Sequence, residues 1–256
     1  MGGPRSRFMD KKQLLHRAVQ TEENTSYAGA AELWANEASL TRYNQDIVKK
    51  LSRDLPLGAK VLEFGAGIGT LAQLWLKATG IRPVCLEIDP GLQKIIQERG
   101  FECHSSIEGL EGQFDLIYSS NVLEHIEDDQ KALEQIYQKL KPGGLLALYL
   151  PAFQCLYSDF DAAIGHYRRY EKAELITKLK NARFDIEKCN YADSIGFFAW
   201  LSTKWKKQNT NATNNSNPQL KFYDQWVFPI SSLLDVIGLR HMFGKNLLAI
   251  SRKSIN

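Results

Sequence analysis

The sequence has few cysteines, no marked excess of charge of one sign and no long apolar run. Its four cysteines form no CxxC pair, so neither a zinc site nor a redox dithiol is predicted. The formal net charge is only +3, and no block of lysine and arginine dominates, which argues against a nucleic-acid partner. No stretch approaches the roughly 18 apolar residues of a membrane span, and residues 1–12 lack the apolar core of a signal peptide. We therefore expect a soluble cytoplasmic protein without a metal site.

The pattern of apolar residues changes twice along the chain. Residues 10–53 carry apolar residues at helical spacing and no strand pattern, which predicts an N-terminal helical extension over 1–57. Strand and helix patterns then alternate, and this alternation breaks after Pro151. We predict one α/β domain over 58–256, with insertions at 151–170 and 193–240.

Seven segments have the composition of strands: 61–64, 83–88, 101–104, 114–120, 145–150, 182–192 and 246–253. Four of them are almost continuously apolar, as a parallel sheet covered by helices on both faces requires. Helices are predicted at 69–79, after Pro90 and over 128–140. Pro142-Gly143-Gly144 is predicted to form a turn.

The segment VLEFGAGIG at 61–69 reads as a strand that runs into a glycine-rich loop and then into a helix. Glycines let a ligand lie against the backbone, and the helix N-terminus offers free N–H groups to a diphosphate or a carboxylate. A dinucleotide fingerprint GxGxxG needs glycine where this chain has Thr70, and Glu63 would repel a diphosphate. Glu87, at the end of the next strand, is placed to bind ribose hydroxyls, with Asp89 as the alternative. The spacing favours an amino-acid-bearing nucleoside, and a ligand-free turn is the alternative.

Four segments resemble successive motifs of class I S-adenosylmethionine-dependent methyltransferases: VLEFGAGIGTLA, CLEIDP, FDLIYSSNVLEHIEDD and LKPGGLLALYLP. The resemblance implies a Rossmann-like, mostly parallel seven-stranded sheet with an antiparallel last strand. It also implies S-adenosylmethionine as cofactor and S-adenosylhomocysteine as product. The implied cofactor contacts are Glu63, Gly65, Ala66 and Gly67 at the methionine part, Glu87 at the ribose, Ile88, Ser106 and Ile107 around the adenine, and Asn121 and Val122 near the methyl group. Many family members carry aspartate near Ser106, so this residue departs from the family pattern.

Two segments are candidates for the acceptor site. His125 follows the fourth strand at the carboxyl edge of the sheet, where open α/β sheets bind ligands, and is either a base or a structural residue of the loop. In the segment 159–170, Asp161 and His166 are a candidate base and its orienting partner. The candidate substrate-binding residues, suited to a phosphate or carboxylate, are Arg168, Arg169 and Tyr170. The alternative is an ion-pair turn in which aspartates neutralise the arginines.

The last third of the chain carries two apolar-aromatic segments, 195–207 and 220–239, on either side of an asparagine-rich tract predicted to be a loop. We expect them to form a cap. An acceptor channel, or peripheral membrane contact through 195–207, is the alternative.

The predicted function is methylation of a small molecule or a glycan, preferably on oxygen. The pattern GHYRRY resembles a subgroup of these methyltransferases found among surface-polysaccharide and lipid-linked glycan enzymes. N-methylation of an amino sugar or another small amine is the alternative within the class. Outside the class, the alternatives are an NAD(P)-dependent oxidoreductase and a scaffold protein with a silent methyltransferase fold. The sequence does not predict an oligomeric state.

Overall fold

The computed structural model describes residues 27–204 and 218–255. The predicted helix within residues 10–26 and the asparagine-rich tract up to residue 217 lie outside the described residues, as do Trp205, Lys206 and Lys207.

The centre of the fold is a seven-stranded sheet. Its strands are β1 (Val61–Phe64), β2 (Val84–Leu86), β3 (Cys103–His104), β4 (Phe114–Ser120), β5 (Leu140–Pro151), β6 (Phe184–Ala192) and β7 (Asn246–Lys253). The order across the sheet is β3-β2-β1-β4-β5-β7-β6. Strands β1 to β5 pair in parallel, and β7 lies antiparallel between β5 and β6. The predicted mostly parallel seven-stranded sheet with an antiparallel last strand is thus confirmed.

The helices of the described residues are α1 (Ala30–Ser39), α2 (Thr41–Leu51), α3 (Thr70–Thr79), α4 (Pro90–Glu98), α5 (Asp129–Lys139), α6 (Asp159–Ala163), α7 (Lys172–Asn181), α8 (Ser194–Lys204), α9 (Pro218–Phe222) and α10 (Phe228–Val236). A π-helical turn, Tyr223–Val227, joins α9 to α10, and short 3₁₀ turns cover Leu123–His125, Gln154–Leu156 and Leu239–His241. Asp89 caps α4 by accepting a hydrogen bond from the backbone N–H of Leu92, and proline follows at the first helical position. None of these helices is long and apolar enough to cross a membrane.

The two faces of the sheet are covered by different helices. Alternate residues of each strand point to opposite faces, so Leu62 joins a core cluster with α5 and α7, whereas Val61 joins another with α2 and α3. In the second cluster Trp75 stacks on Tyr118 with ring centroids 4.2 Å apart. Strands buried on both faces account for the almost continuous apolar runs in the sequence.

The predicted turn at Pro142-Gly143-Gly144 is wrong, because the chain remains in the sheet through this segment. Phe114 pairs with Leu140 and Leu116 pairs with Leu145, so β5 carries extra residues as a bulge opposite β4. Gly143 has φ +75°, and a Cβ on Gly144 would lie 2.9 Å from the carbonyl oxygen of Lys141. The glycines therefore serve the bulge rather than a strand-ending turn.

Candidate active site

The glycine-rich loop lies at the carboxyl ends of β1, β2 and β4. Gly65, Gly67 and Gly69 all have positive φ, a backbone region that side chains with a Cβ rarely adopt. The N–H groups of Gly65 and Ala66 both donate to the carbonyl of Leu86 at 2.9 Å, which fixes the loop against β2. A Cβ on Gly65 would lie only 2.4 Å from Val122 Cγ2. The structure thus brings the loop beside Val122, one of the two residues predicted to lie near the methyl group.

Glu87 is buried at the end of β2, directly beside the loop. Its Oε2 accepts from the Gly67 N–H at 2.8 Å, and its Oε1 accepts from the Asp89 N–H at 3.0 Å. Burial raises the pKa of Glu87 above its ordinary value. Each carboxylate oxygen has a second acceptor position for a ribose hydroxyl. Because the carboxylate of Asp89 caps α4, this geometry favours Glu87 over Asp89 as the ribose ligand.

Glu63 lies two residues before Gly65, and its side chain is hydrogen-bonded to β4. It is buried on β1, and its Oε2 accepts from the Tyr118 hydroxyl at 3.0 Å. Burial raises the pKa of Glu63 to about 8, against the opposing effect of the Tyr118 hydrogen bond. A carboxyl group that is largely protonated at neutral pH avoids the cost of a buried charge.

The predicted adenine contacts differ in exposure. Ile88 is 79% exposed after β2 and is free to cover a flat ring. Ser106 is also exposed, and its Oγ accepts from the Gly109 N–H at 3.3 Å. Ile107 is buried in the core, so only its backbone can face a ligand. Asn121, with φ +52°, is exposed at the end of β4.

Helix α1 covers the loop, which the sequence did not predict. A Cβ on Gly67 would lie 3.3 Å from Leu33 Cδ1. Glu37 fixes the helix in place by accepting from the Thr70 hydroxyl at 2.6 Å and pairing with Arg99 at 2.9 Å. A single glutamate on a helical face carries no sequence signal for such a contact.

His125 and His166 meet at the same edge of the sheet, with ring centroids 4.5 Å apart. His125 Nε2 lies 3.3 Å from the hydroxyl of Tyr27, a residue that the sequence did not single out. Burial, and then the neighbouring His166, lowers the pKa of His125 to about 4. The imidazole of His125 is therefore neutral at physiological pH, and the same lowering makes it a weaker base than a free imidazole.

Asp161 joins the segment 158–169 into one hydrogen-bonded unit. Its Oδ1 lies 3.0 Å from His166 Nδ1 and 2.7 Å from Arg169 Nη2, and its Oδ2 accepts from the backbone N–H and the hydroxyl of Ser158. Burial alone would raise the pKa of Asp161, but the His166 hydrogen bond and the Arg169 charge outweigh it and lower the pKa to about 2. The predicted Asp161–His166 pair is present, and so is the ion pair that was its alternative.

The three predicted substrate-binding residues are occupied by contacts within the protein. Arg169 is buried and gives Nε and Nη2 to Asp161. Arg168 pairs with Asp129 at 2.8 Å, and the Tyr170 hydroxyl donates to the same carboxylate at 2.8 Å. Tyr170 is completely buried, so a substrate contact through its side chain is a correction to the prediction. The tyrosine is a core residue because the strand-like bridge of Tyr170 to Ala152 turns its ring inward.

Two further residues at this edge had no distinctive sequence signal. Glu124 is completely buried, both its carboxylate oxygens lack a hydrogen-bond partner among the described residues, and burial raises its pKa to about 8. Its carboxylate and one ring nitrogen each of His125 and His166 lie within 4.8 Å of one another, a spacing compatible with a metal ion, whereas the sequence predicted none. Lys245, directly before β7, places its Nζ 4.7 Å from the ring centroid of Trp200.

The chain is similar to known methyltransferases. A family described as "Methyltransferase domain" matches residues 36–195, which is more than half of the chain. The trans-aconitate 2-methyltransferase of Deinococcus radiodurans is 29% identical over 131 residues, covering 45% of this chain and 50% of that protein. The mitochondrial ubiquinone biosynthesis O-methyltransferase of Rattus norvegicus is 34% identical over 119 residues, covering 41% of this chain and 33% of that protein. The chain thus spans half or less of the length of these two relatives.

A similar fold occurs in a solved structure of Haemonchus contortus phosphoethanolamine N-methyltransferase 2 with phosphomonomethylethanolamine and S-adenosylhomocysteine. The TM-score is 0.61 at 18% identity, and the match covers 97% of this chain and 61% of that chain. At this identity the likeness concerns the fold.

Proposed function

Because the chain belongs to the family of methyltransferase domains, we propose that it transfers a methyl group from S-adenosylmethionine to an oxygen of a small molecule or a glycan. The observation that carries the proposal is the meeting of two sites at one sheet edge. The loop of Gly65 to Gly69 with Glu87 lies on one side, and the neutral imidazole of His125 lies on the other.

The loop has the features that the cofactor needs. Glycine at position 65 lets the loop pack directly against Val122, where a Cβ would clash, and Glu87 offers acceptor positions for two neighbouring hydroxyls. When bound, S-adenosylmethionine supplies a methyl group already activated by its sulfonium. The protein has mainly to align the acceptor with that methyl group and to exclude water.

His125 is the proposed base. Methyl transfer to a hydroxyl would release its proton, and Nε2 of the neutral imidazole would take that proton once the acceptor hydroxyl replaces the Tyr27 hydroxyl, which now lies 3.3 Å from it. Asp161 orients His166 through Nδ1, and His166 in turn packs on His125 edge to face. In this assignment His166 and Asp161 position the base and do not themselves contact the acceptor.

An acidic group on the acceptor would find its counter-charge at Lys245. Arg169 is committed to Asp161, whereas Lys245 makes no ion pair within 4 Å with a carboxylate of the described residues. The resemblance of GHYRRY to glycan-modifying methyltransferases supports a glycan acceptor.

Transfer of labelled methyl groups to a panel of sugars, lipid-linked glycans and small amines tests the proposal. We expect a hydroxyl-bearing acceptor to be labelled and His125→Gln to lower kcat by about 10² to 10⁴ without changing cofactor affinity. His104→Gln is the matched control, because the side chain of His104, on β3, pairs with Glu102 and not with His125 or His166. Labelling of amines alone would identify an N-methyltransferase, and unchanged turnover of His125→Gln would remove this residue as the base.

A further inference from the structure

The exposed apolar side chains of the described residues are concentrated in one part of the chain. Of the twelve large apolar residues that are strongly exposed, eight lie between residues 198 and 242. We call these eight the cap face: Phe198, Phe222, Trp226, Ile230, Leu233, Val236, Ile237 and Met242. Trp226 is 65% exposed and Met242 is 70% exposed. Five of the eight, Phe222, Trp226, Ile230, Leu233 and Ile237, recur every three or four residues and so lie on one side of the helix. A large exposed apolar patch marks an interaction site more often than scattered exposure does.

The cap face is held outward by its own helix. On the opposite side of the helix through 218–236, Asp224, Phe228, Ser231 and Asp235 are buried. Asp224 accepts from the backbone N–H groups of Arg42 and Tyr43, and Asp235 accepts from that of Asp193 at 2.7 Å. A surface helix normally presents polar residues to water. Here the buried hydrogen bonds of Asp224 and Asp235 fix the rotation of the helix about its axis, and the apolar side of the helix therefore faces outward.

Cations flank the cap face. Burial, and then the neighbouring Arg240, Arg53 and Lys50, lower the pKa of Lys188 on β6, against the opposing effect of Asp54. Lys50 is paired with Asp46, whereas Arg53, Lys188 and Arg240 make no ion pair with a carboxylate of the described residues. Arg42 donates to the carbonyl of Gln225 at 3.0 Å, next to Trp226. In this group Asp46 neutralises Lys50, and the three cations Arg53, Lys188 and Arg240 outnumber the one further acidic residue, Asp54.

We propose that the cap face docks this protein on an anionic lipid bilayer. The aliphatic and aromatic side chains enter the boundary between headgroups and acyl chains, and the flanking cations meet anionic headgroups. A two-fold contact with a second copy would bring the same unpaired cations towards each other, which disfavours it. Nucleic acid would use the cations but not the apolar side chains. Of the membrane contact predicted at 195–207, Phe198 belongs to this face.

Co-sedimentation of the full chain with vesicles tests the proposal. Vesicles of phosphatidylcholine alone are compared with vesicles that also contain phosphatidylglycerol, at low and at high salt. We expect binding to the anionic vesicles that weakens at high salt. Trp226→Ser and Leu233→Ser should each lower the partition coefficient by about tenfold or more, from the apolar burial lost. Arg53→Gln, Lys188→Gln and Arg240→Gln should each lower it about fivefold.

Ile255→Ser is the matched control, because it removes an exposed aliphatic residue outside the cap face. It should leave vesicle binding unchanged. Circular dichroism and S-adenosylhomocysteine binding of every variant establish that the fold is intact, and Ile230→Asn replaces any variant that fails to fold. Absence of binding to anionic vesicles, or equal binding to neutral ones, would overturn the proposal. The proposal would also be overturned if the wild-type protein does not bind vesicles and instead forms a dimer in solution that Trp226→Ser dissociates.

Discussion

Replacement of Asp161 by asparagine keeps the size of the side chain and removes the charge on which the segment 158–169 depends. In the native structure one carboxylate receives Arg169 Nε at 3.0 Å, Arg169 Nη2 at 2.7 Å and His166 Nδ1 at 3.0 Å. Both partners of the ion pair are almost completely buried, with 2% and 1% of the side chains exposed. After the substitution, Arg169 would remain in the interior as a cation without a counter-charge.

We expect Asp161→Asn to lower the free energy of unfolding by about 3 to 5 kcal/mol, the usual cost of breaking a buried ion pair by removing one partner. A domain of this kind has a total stability of about 5 to 15 kcal/mol, so the effect is large. Urea unfolding followed by circular dichroism at neutral pH measures it as a shift of the midpoint. The contribution of Asp161 should also disappear in acid. Its pKa is lowered from 3.8 to about 2, so the stabilisation is present above the unfolded value and is lost as the pH falls towards 2.

Asp159→Asn provides the control, because Asp159 is an exposed aspartate in the same helix. It should change the stability by less than about 1 kcal/mol, as expected for a charge near a helix N-terminus. Equal effects of the two substitutions, or a loss below about 1 kcal/mol for Asp161→Asn, would refute the role of Asp161 as the counter-charge of Arg169.

Two further predictions concern buried groups at the same edge. Glu124 has a pKa of about 8 in the folded protein, against 4.5 ordinarily. Between these values only the native state holds the proton, so stability falls as the pH rises. The free energy of unfolding of the wild-type protein should fall by about 1.4 kcal/mol per pH unit in this range, and Glu124→Gln should remove this dependence. At pH 8 the variant should be more stable than the wild-type protein. Stability curves of the two proteins that run parallel with pH would show that Glu124 does not titrate in this range. Gly65→Ala should abolish S-adenosylhomocysteine binding in calorimetry, because its Cβ would lie 2.4 Å from Val122, whereas Gly80→Ala, also at positive φ but with nothing within 4 Å, should bind normally. Binding by both would mean that the close contact of Gly65 with Val122 is not needed for the ligand site.

The fold and the cofactor class could be predicted because they depend on local sequence signals. Apolar strand runs, the glycine loop and Glu87 each follow from the chain within a few residues, and the predicted fold class and S-adenosylmethionine-dependent methyltransferase family are confirmed. The bulge in β5 escaped prediction because the Pro-Gly-Gly pattern is typical of turns and the pairing with β4 is a tertiary contact.

The contacts around the acceptor edge were harder to predict, because they join distant parts of the chain. Tyr170 was predicted to bind substrate but donates to Asp129, 41 residues away. Tyr27 reaches His125 across 98 residues. Pairing of Asp161 with either His166 or the arginines was left open by the sequence, since all are close in the chain and only the folded geometry shows one carboxylate serving both. The roles of these residues in turnover stay predictions.

Calorimetric titration of the full chain with S-adenosylhomocysteine tests the cofactor site most directly. The wild-type protein should bind the ligand at one site. Glu87→Gln should weaken binding by about 100-fold, as the loss of about 3 kcal/mol of hydrogen bonding to the ribose implies. Glu102→Gln, the same substitution at an exposed glutamate next to β3, should have no effect. If the Glu87 variant binds the ligand as strongly as the wild-type protein, Glu87 is not the ribose ligand. Absence of binding by the wild-type protein would contradict the assignment of the glycine loop as a cofactor site.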